Sequence, residues 1–217
     1  MQAVIRILFF AAPGAGCGCG ALFWSHWLLQ KRNRGERASR PTQCTVVIAA
    51  AICGGIIGLY SAEWLPAVFA MAVLTASITA AVSDWLCRLI PNPTVLAVLF
   101  LKCLLIAGGL LKIPGFPSPG LLSAFGGMVF CFLLFLAPGL MGKQVGAGDI
   151  KLAAAMGFLL GFNGALLAVV VMGALLLGYC MFQQRMPLLM FLKTNIPMGP
   201  FIAAGMMIAF MVPHITS

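Results

Sequence analysis

Charged residues are scarce in this sequence. Only 8% of its 217 residues are Asp, Glu, Lys or Arg, whereas 62% are hydrophobic. A water-soluble domain carries roughly 25% charged residues, so water cannot be the main solvent of this chain. The scarcity excludes an ordinary soluble globular domain and leaves a protein whose helices face lipid.

Acidic residues are the rarest of the charged groups. There are four of them against 13 Lys and Arg, which gives a formal net charge of +9. On a soluble protein this balance would suggest a nucleic-acid partner. Here the basic residues fall mainly between apolar stretches, where they set orientation and meet anionic lipid headgroups. We therefore expect membrane lipids as partners and no nucleic acid.

The sequence also lacks the usual patterns of a metal site. It has eight cysteines but no C-x-x-C pair, and only two histidines. Most of the cysteines lie within apolar stretches, where they pack as small, soft side chains. Cys17 and Cys19 are two positions apart, so a helix would point them to different sides. We predict no metal, no cofactor and no required disulfide.

What the sequence does have is a series of long apolar stretches. Each bilayer span needs about 20 mostly apolar residues, and the stretches are continuous rather than alternating with the period of two that a β-barrel requires. We predict an all-α membrane protein, a polytopic bundle of about eight transmembrane helices. The predicted spans are residues 3–29, 44–61, 67–82, 94–111, 121–140, 150–161, 165–182 and 198–212.

The basic residues predict an orientation for this bundle. With eight spans, the loops at 31–43, 84–93, 141–151 and 183–196 share one side and hold ten of the 13 Lys and Arg. The positive-inside rule assigns this side to the cytoplasm and both termini to the other. Within the last of these loops, residues 183–195 are amphipathic enough to lie along the membrane interface.

Two of the four acidic residues, Asp84 and Asp149, lie at the predicted cytoplasmic ends of apolar stretches. An ionisable group at membrane depth is expensive and is therefore a functional candidate, although a solvated loop residue remains the alternative for each one. Asp149 follows Gly146 and Gly148 directly before a predicted helix, and glycine permits backbone conformations and close approach that a Cβ would obstruct. We expect non-helical backbone at this depth to line a wet cavity.

Facing aspartates have a well-defined chemistry. Two carboxyls a few ångströms apart cannot both ionise easily, so they share one proton. The ionised carboxyl can act as general base on a water that attacks a peptide carbonyl, and the protonated one can supply the acid. Because the pair titrates as a unit, the sequence leaves open which aspartate is the base.

Three elements together resemble the signatures of type IV prepilin peptidases. They are Gly146-x-Gly148-Asp149-x-Lys151, the element from Asp84 to Ile90-Pro91-Asn92, and Ile196-Pro197-Met198-Gly199-Pro200-Phe201. The G-x-G-D element alone is weak, because glycine is abundant here, but all three in this order on one predicted face are fairly specific. The resemblance covers roughly residues 44–213.

The resemblance implies a bacterial inner-membrane endopeptidase with the catalytic pair Asp84 and Asp149. Its substrates would be prepilins or pilin-like proteins, cut after the glycine of a short basic leader at the cytoplasmic boundary. The active-site loop would contain Gly146, Gly148 and Lys151, although headgroup contact is an equal alternative for Lys151. The cavity would be shaped by Pro91, Asn92, Pro197, Gly199 and Pro200.

The chain departs from many members of this family between its first two spans. Those members carry a larger cytoplasmic domain there, with paired C-x-x-C motifs linked to N-methylation, whereas this chain has only residues 31–43. We expect a short, peptidase-only form: a single membrane domain over residues 1–217, in which 1–43 form the first helix and a basic loop and 44–217 form the catalytic core.

Two other functions are compatible with membrane aspartates. A small proton- or ion-coupled transporter could use Asp84 and Asp149 as ligands, but its halves should repeat, and residues 1–108 and 109–217 share no matching motif placement. A non-enzymatic scaffold subunit would leave both motifs unexplained. The peptidase hypothesis is therefore the leading one.

Overall fold

A computed structural model describes residues 2–31, 38–60, 64–111, 120–140, 146–182 and 197–211. Within these ranges the chain is helical apart from short connecting pieces, and the predicted all-α bundle is confirmed. Its helices are α1 (Gln2–Gln30), α2 (Arg40–Tyr60), α3 (Trp64–Cys87), α4 (Asn92–Leu110), α5 (Leu121–Leu140), α6 (Ala147–Phe182) and α7 (Gly199–Met211).

The helices have the length and composition of membrane spans. Among the described residues, α1 to α6 are each long and apolar enough to cross a bilayer, and α7 is a shorter apolar helix. In lipid, a helix satisfies every backbone hydrogen bond within the segment itself, which is why these apolar stretches fold this way. The chain is a multi-pass membrane protein.

Helix α6 is two antiparallel halves rather than one long span. Its 36 residues would extend about 54 Å as a single helix, far beyond the roughly 30 Å of a hydrocarbon core. The backbone leaves helical geometry at Gly161, where φ is 74° and ψ is 179°, a region that is essentially restricted to glycine. The sequence predicts a turn at residues 162–164, so the observed reversal comes slightly earlier.

Contacts at the two ends of α6 show that the chain turns back at Gly161. At its start, Gly148 lies against Ile90, just beyond the end of α3. Near its end, the Tyr179 ring packs on Phe201 of α7, with 5.6 Å between the ring centroids, and α7 begins beside the end of α3 as well. Both ends of α6 therefore lie at one end of the bundle, and its halves supply two of the eight predicted helices.

Helix α3 is the central helix of the bundle. It packs against α1, α2, α4 and α7, and more than half of its membrane window is buried. Its buried hydroxyls are satisfied by the backbone of the same helix: Ser77 Oγ donates to Val73 O at 2.6 Å and Thr79 Oγ1 to Thr75 O at 2.7 Å. A polar stripe can therefore cross the core without other partners.

The first half of α6 is held by α5. The backbones of Gly127 and Gly157 are in direct contact, and at the reversal the Phe162 N–H donates to Ser123 Oγ at 3.0 Å. Close contact between small residues is the usual way in which membrane helices associate. The position of this half-helix along its axis is therefore fixed by α5.

Several helices extend beyond their predicted bounds, and α2 and α3 do so by the most residues. Helix α2 begins at Arg40 rather than Cys44 because Ser39 Oγ contacts the Thr42 side chain and backbone and Pro41 occupies the first turn, where proline is favoured. Helix α3 continues past Val82 to Cys87, which places Asp84 inside the helix. Much of the predicted basic loop, at 32–37, and all of 183–196 lie outside the described residues.

Candidate active site

Asp84 is a buried carboxyl at the end of the central helix. It lies three residues before the last residue of α3 and only 5% of its surface is exposed. Its Oδ2 accepts a hydrogen bond of 2.7 Å from the backbone N–H of Gly199, the first residue of α7. An N–H donor at a helix start is favourably oriented for a carboxylate, so α7 helps fix the Asp84 side chain.

Gly199 can approach Asp84 only because it has no side chain. A Cβ on this residue would lie 2.6 Å from Asp84 Cβ and 2.8 Å from its Oδ2. The neighbouring Pro197 and Pro200 are half-buried on either side of this contact. The predicted cavity-shaping element is therefore at the carboxyl, and Gly199 contributes a hydrogen-bond donor as well as space.

Asp149 belongs to the first turn of α6. Its backbone N–H donates to Gly146 O at 3.0 Å, and its Oδ2 lies close to Gly146, 2.9 Å from where a Cβ would be. Its Oδ1 is buried and has no hydrogen-bond partner within the described ranges. Gly148, the residue before Asp149, packs on Ile90, six residues after Asp84, so the two aspartates lie at the same end of the bundle.

The break between α3 and α4 joins the two aspartate elements. A Cβ on Gly148 would meet Ile90 Cβ at 3.1 Å, so the start of α6 packs directly on the Ile90-Pro91-Asn92 segment. Pro91 is buried and caps α4 in an extended conformation, with φ −67° and ψ 135°, whereas Asn92 is exposed. The three sequence elements, which are spread over more than 100 residues of the chain, thus converge at one end of the bundle.

Two predicted site residues have a different setting from the expected one. Gly148 and Lys151 lie within α6 rather than in a loop, because the helix already begins at Ala147. Gly146 is exposed just before this helix. Lys151 is exposed and makes no ion pair with any residue that the structure describes, so its side chain takes no part in the described contacts around the two carboxyls.

Two further residues at this end of the bundle were not among the predicted site residues. Arg88 adopts a left-handed backbone conformation, with φ 50°, its N–H donates to Asp84 O at 2.8 Å, and its guanidinium attracts the Asp84 carboxylate. Thr94 is completely buried in the first turn of α4. A basic residue four positions after Asp84 was a usable signal for Arg88, but only the fold reveals the burial of Thr94.

The arrangement of the two carboxyls suits acid–base chemistry on a water molecule. One of them is buried and held by a backbone donor, and the other is half-buried beside it. Two such groups can divide the roles of base and acid. Within the described ranges, no three His, Cys, Asp or Glu side chains are grouped closely enough to hold a metal ion.

The chain matches the model of a known protein family. A family model described as the type IV leader peptidase family matches residues 71–182, just over half of the chain, and both aspartates fall within the match. No curated protein and no solved structure matches the chain significantly. The family match does not favour the transporter hypothesis.

Proposed function

Because the chain belongs to the type IV leader peptidase family, and is therefore a peptidase with a prepilin-type substrate, we propose that it cuts its substrate with the aspartate pair Asp84 and Asp149. The observation that carries this proposal is that the end of α3, which carries Asp84, and the start of α6, which carries Asp149, meet at one end of the bundle. A general acid and a general base for the same bond must come within reach of the same water and peptide group.

The proposed reaction needs no covalent enzyme intermediate. The ionised aspartate takes a proton from water, and the resulting hydroxide adds to the carbonyl carbon of the scissile bond. The protonated aspartate donates its proton to the carbonyl oxygen. The aspartate that took the proton from water then gives a proton to the leaving nitrogen, the other aspartate takes one back from a hydroxyl of the tetrahedral intermediate, and the C–N bond breaks. The products are a leader with a new carboxylate and a mature protein with a new amine.

The hydrogen bond from Gly199 supports a defined starting geometry for this reaction. With Oδ2 of Asp84 held by the Gly199 N–H, the second oxygen of the same carboxyl is the one left to face a water or Asp149. A preorganised carboxylate needs less rearrangement in the transition state. Gly146 leaves space beside the Asp149 carboxyl, which allows this side chain to adjust when a substrate arrives, whereas Gly148 leaves space for Ile90.

The location of the pair suits a bond at the end of a substrate helix. Asp84 and Asp149 both lie within one turn of a helix end, so a substrate whose apolar segment enters the bilayer beside α3 and α6 would present its boundary at this level. We propose that this end faces the cytoplasm of a bacterial inner membrane, as the distribution of basic residues predicts. We propose that the bond cut follows the leader glycine, and that residues 1–217 act as a single membrane domain.

The test uses purified protein in detergent with a pilin-like precursor that has a basic leader, a glycine at its end and an apolar helix. We expect wild-type protein to release a product whose new N-terminus, read by mass spectrometry, follows the glycine. Asp84→Asn and Asp149→Asn should each lower the rate by about 10³-fold, since general acid–base catalysis contributes on this order.

The control is Glu63→Gln, the same change of acid to amide in a residue that the sequence assigns to a loop between the second and third spans. It should cleave at the wild-type rate. All three variants should elute as monodisperse protein, because each replacement keeps the size of the side chain. Cleavage by either aspartate variant at a normal rate would refute the proposed catalytic pair.

A further inference from the structure

Thr94 has an unusual environment in this bundle. It is the third residue of α4, its side chain is completely buried, and its Oγ1 has no hydrogen-bond partner within the part of the chain that the structure describes. Its backbone N–H is used, since it donates to Pro91 O at 3.0 Å. The unpaired group is therefore the side-chain hydroxyl of Thr94.

The other buried hydroxyls among the described residues do not share this condition. On α3, Ser77, Thr79 and Ser83 each donate to a backbone carbonyl at 2.6 to 2.7 Å, and Ser25 of α1 donates to Leu22 O at 2.9 Å. A buried polar group without a partner destabilises a folded protein. Such a group requires an explanation, and a functional role is one of the few available.

The direction of the Thr94 side chain follows from the packing of its helix. Helix α4 packs mainly against α3 and α6, and its buried residues are Thr94, Val95, Val98 and Gly108. The buried hydroxyl therefore faces the two helices that carry Asp84 and Asp149. Of these four buried residues, only Thr94 has a side chain with a hydrogen-bonding group, because Val95 and Val98 are apolar and Gly108 has no side chain.

The depths of the three side chains also agree. Asp84 is three residues before the end of α3, Thr94 two residues after the start of α4, and Asp149 two residues after the start of α6. At a rise of about 1.5 Å per residue, each lies roughly 3–5 Å inside its helix. The contact between Ile90 and Gly148 holds the starts of α4 and α6 side by side, so these depths can be compared directly.

We propose that Thr94 is a positioning residue of the aspartate site, whose hydroxyl donates a hydrogen bond to Oδ1 of Asp149 when a substrate is bound. Both atoms are buried and lack a partner within the described ranges, and one rotation of the Asp149 side chain would change where its Oδ1 points. This inference rests on the proposed function. The bond orients the Asp149 carboxyl toward the scissile peptide, much as Gly199 orients that of Asp84.

The experiment compares Thr94→Val, which keeps the shape of the side chain but removes its hydroxyl, with Thr94→Ser, which keeps the hydroxyl. Cleavage of the same pilin-like precursor is measured over a range of concentrations. We expect Thr94→Val to lower kcat about tenfold, the effect of one neutral hydrogen bond, with KM within about twofold of wild type. Thr94→Ser should restore kcat to within about threefold.

The matched control is Thr79→Val. Thr79 is also fully buried, but its hydroxyl is bonded to Thr75 O and it lies five residues further from the end of α3 than Asp84. We expect its kcat to stay within about twofold of wild type. If Thr94→Val does not fold, Thr94→Cys replaces it, since a thiol is a weak donor of similar size.

Three results would overturn the inference. The first is a kcat for Thr94→Val equal to that of wild type. The second is an equal loss in Thr94→Val and Thr79→Val, which would indicate a general packing effect. The third is a rise in KM at constant kcat, which would mean that Thr94 binds substrate and does not position Asp149. A wild-type protein that cleaves no precursor would instead refute the proposed function itself.

Discussion

The contact between Gly199 and Asp84 leads to a sharp prediction for Gly199→Ala. The added Cβ would lie 2.6 Å from Asp84 Cβ, whereas ordinary carbon–carbon contacts are about 3.5–4.0 Å. Asp84 Cβ is attached to the backbone of the central helix, so no change of rotamer can relieve the clash. Either α7 or the end of α3 has to move by about 1 Å.

Two quantities should change by different amounts. Overpacking of this kind typically costs about 1–3 kcal/mol of stability, and the hydrogen bond from the Gly199 N–H to Asp84 Oδ2 would lengthen from 2.7 Å. A displacement of about 1 Å in a catalytic group can lower a rate by about 10²-fold. We therefore expect kcat/KM to fall about 100-fold in protein that still folds.

The assay is precursor cleavage by Gly199→Ala, together with unfolding in mixed micelles. The control is Gly173→Ala in the second half of α6, where an added Cβ would meet nothing within 4 Å. This control should keep full activity and the same or slightly higher stability, since alanine favours a helix. Cleavage by Gly199→Ala within threefold of wild type would refute the view that Gly199 fixes the Asp84 carboxyl.

Two further substitutions test the backbone at special positions. Gly161→Ala should lower the free energy of unfolding by about 2 kcal/mol, since φ 74° with ψ 179° is strained for any side chain. The control Gly178→Ala, where an added Cβ meets open space, should leave stability unchanged. Equal unfolding midpoints for the two variants would contradict this prediction. Arg88→Gly should raise the free energy of unfolding by about 1 kcal/mol, because glycine adopts the backbone conformation with φ 50° without strain. The same change should lower the cleavage rate several-fold, because the positive charge that attracts the Asp84 carboxylate is lost. Unchanged cleavage would show that solvent screens this charge.

Much of the fold was predictable because apolar length alone determines a membrane helix. The predicted span at 121–140 has the same bounds as α5, and the predicted turn at 162–164 falls just after the reversal at Gly161. The helix ends that were not predicted lie in polar segments of the chain. Arg40 to Gln43 looks like a loop by hydropathy, but the Ser39 side chain and Pro41 start a helix there.

The site was predictable as a set of motifs and not as a geometry. Asp84 and Asp149 stood out because carboxylates are rare in an apolar chain. No local pattern relates Asp84 to Gly199, which is 115 residues away, so the hydrogen bond between them depends entirely on tertiary packing. The same holds for Thr94, which looks in sequence like any polar residue near the start of a span.

The reversal at Gly161 has a consequence for the depth of Asp149 in the membrane. The first half of α6 is short, since residues 147–160 extend only about 21 Å. With its start at the membrane boundary, as proposed above, the turn at its far end lies within the apolar layer of a bilayer about 30 Å thick. Backbone groups at such a turn need partners inside the protein, and Ser123 of α5 supplies one for Phe162. Ser123, at one end of the bundle, therefore helps to set the depth of Asp149 at the other end. A shift of α5 by one residue along its axis would move Asp149 by about 1.5 Å along the membrane normal.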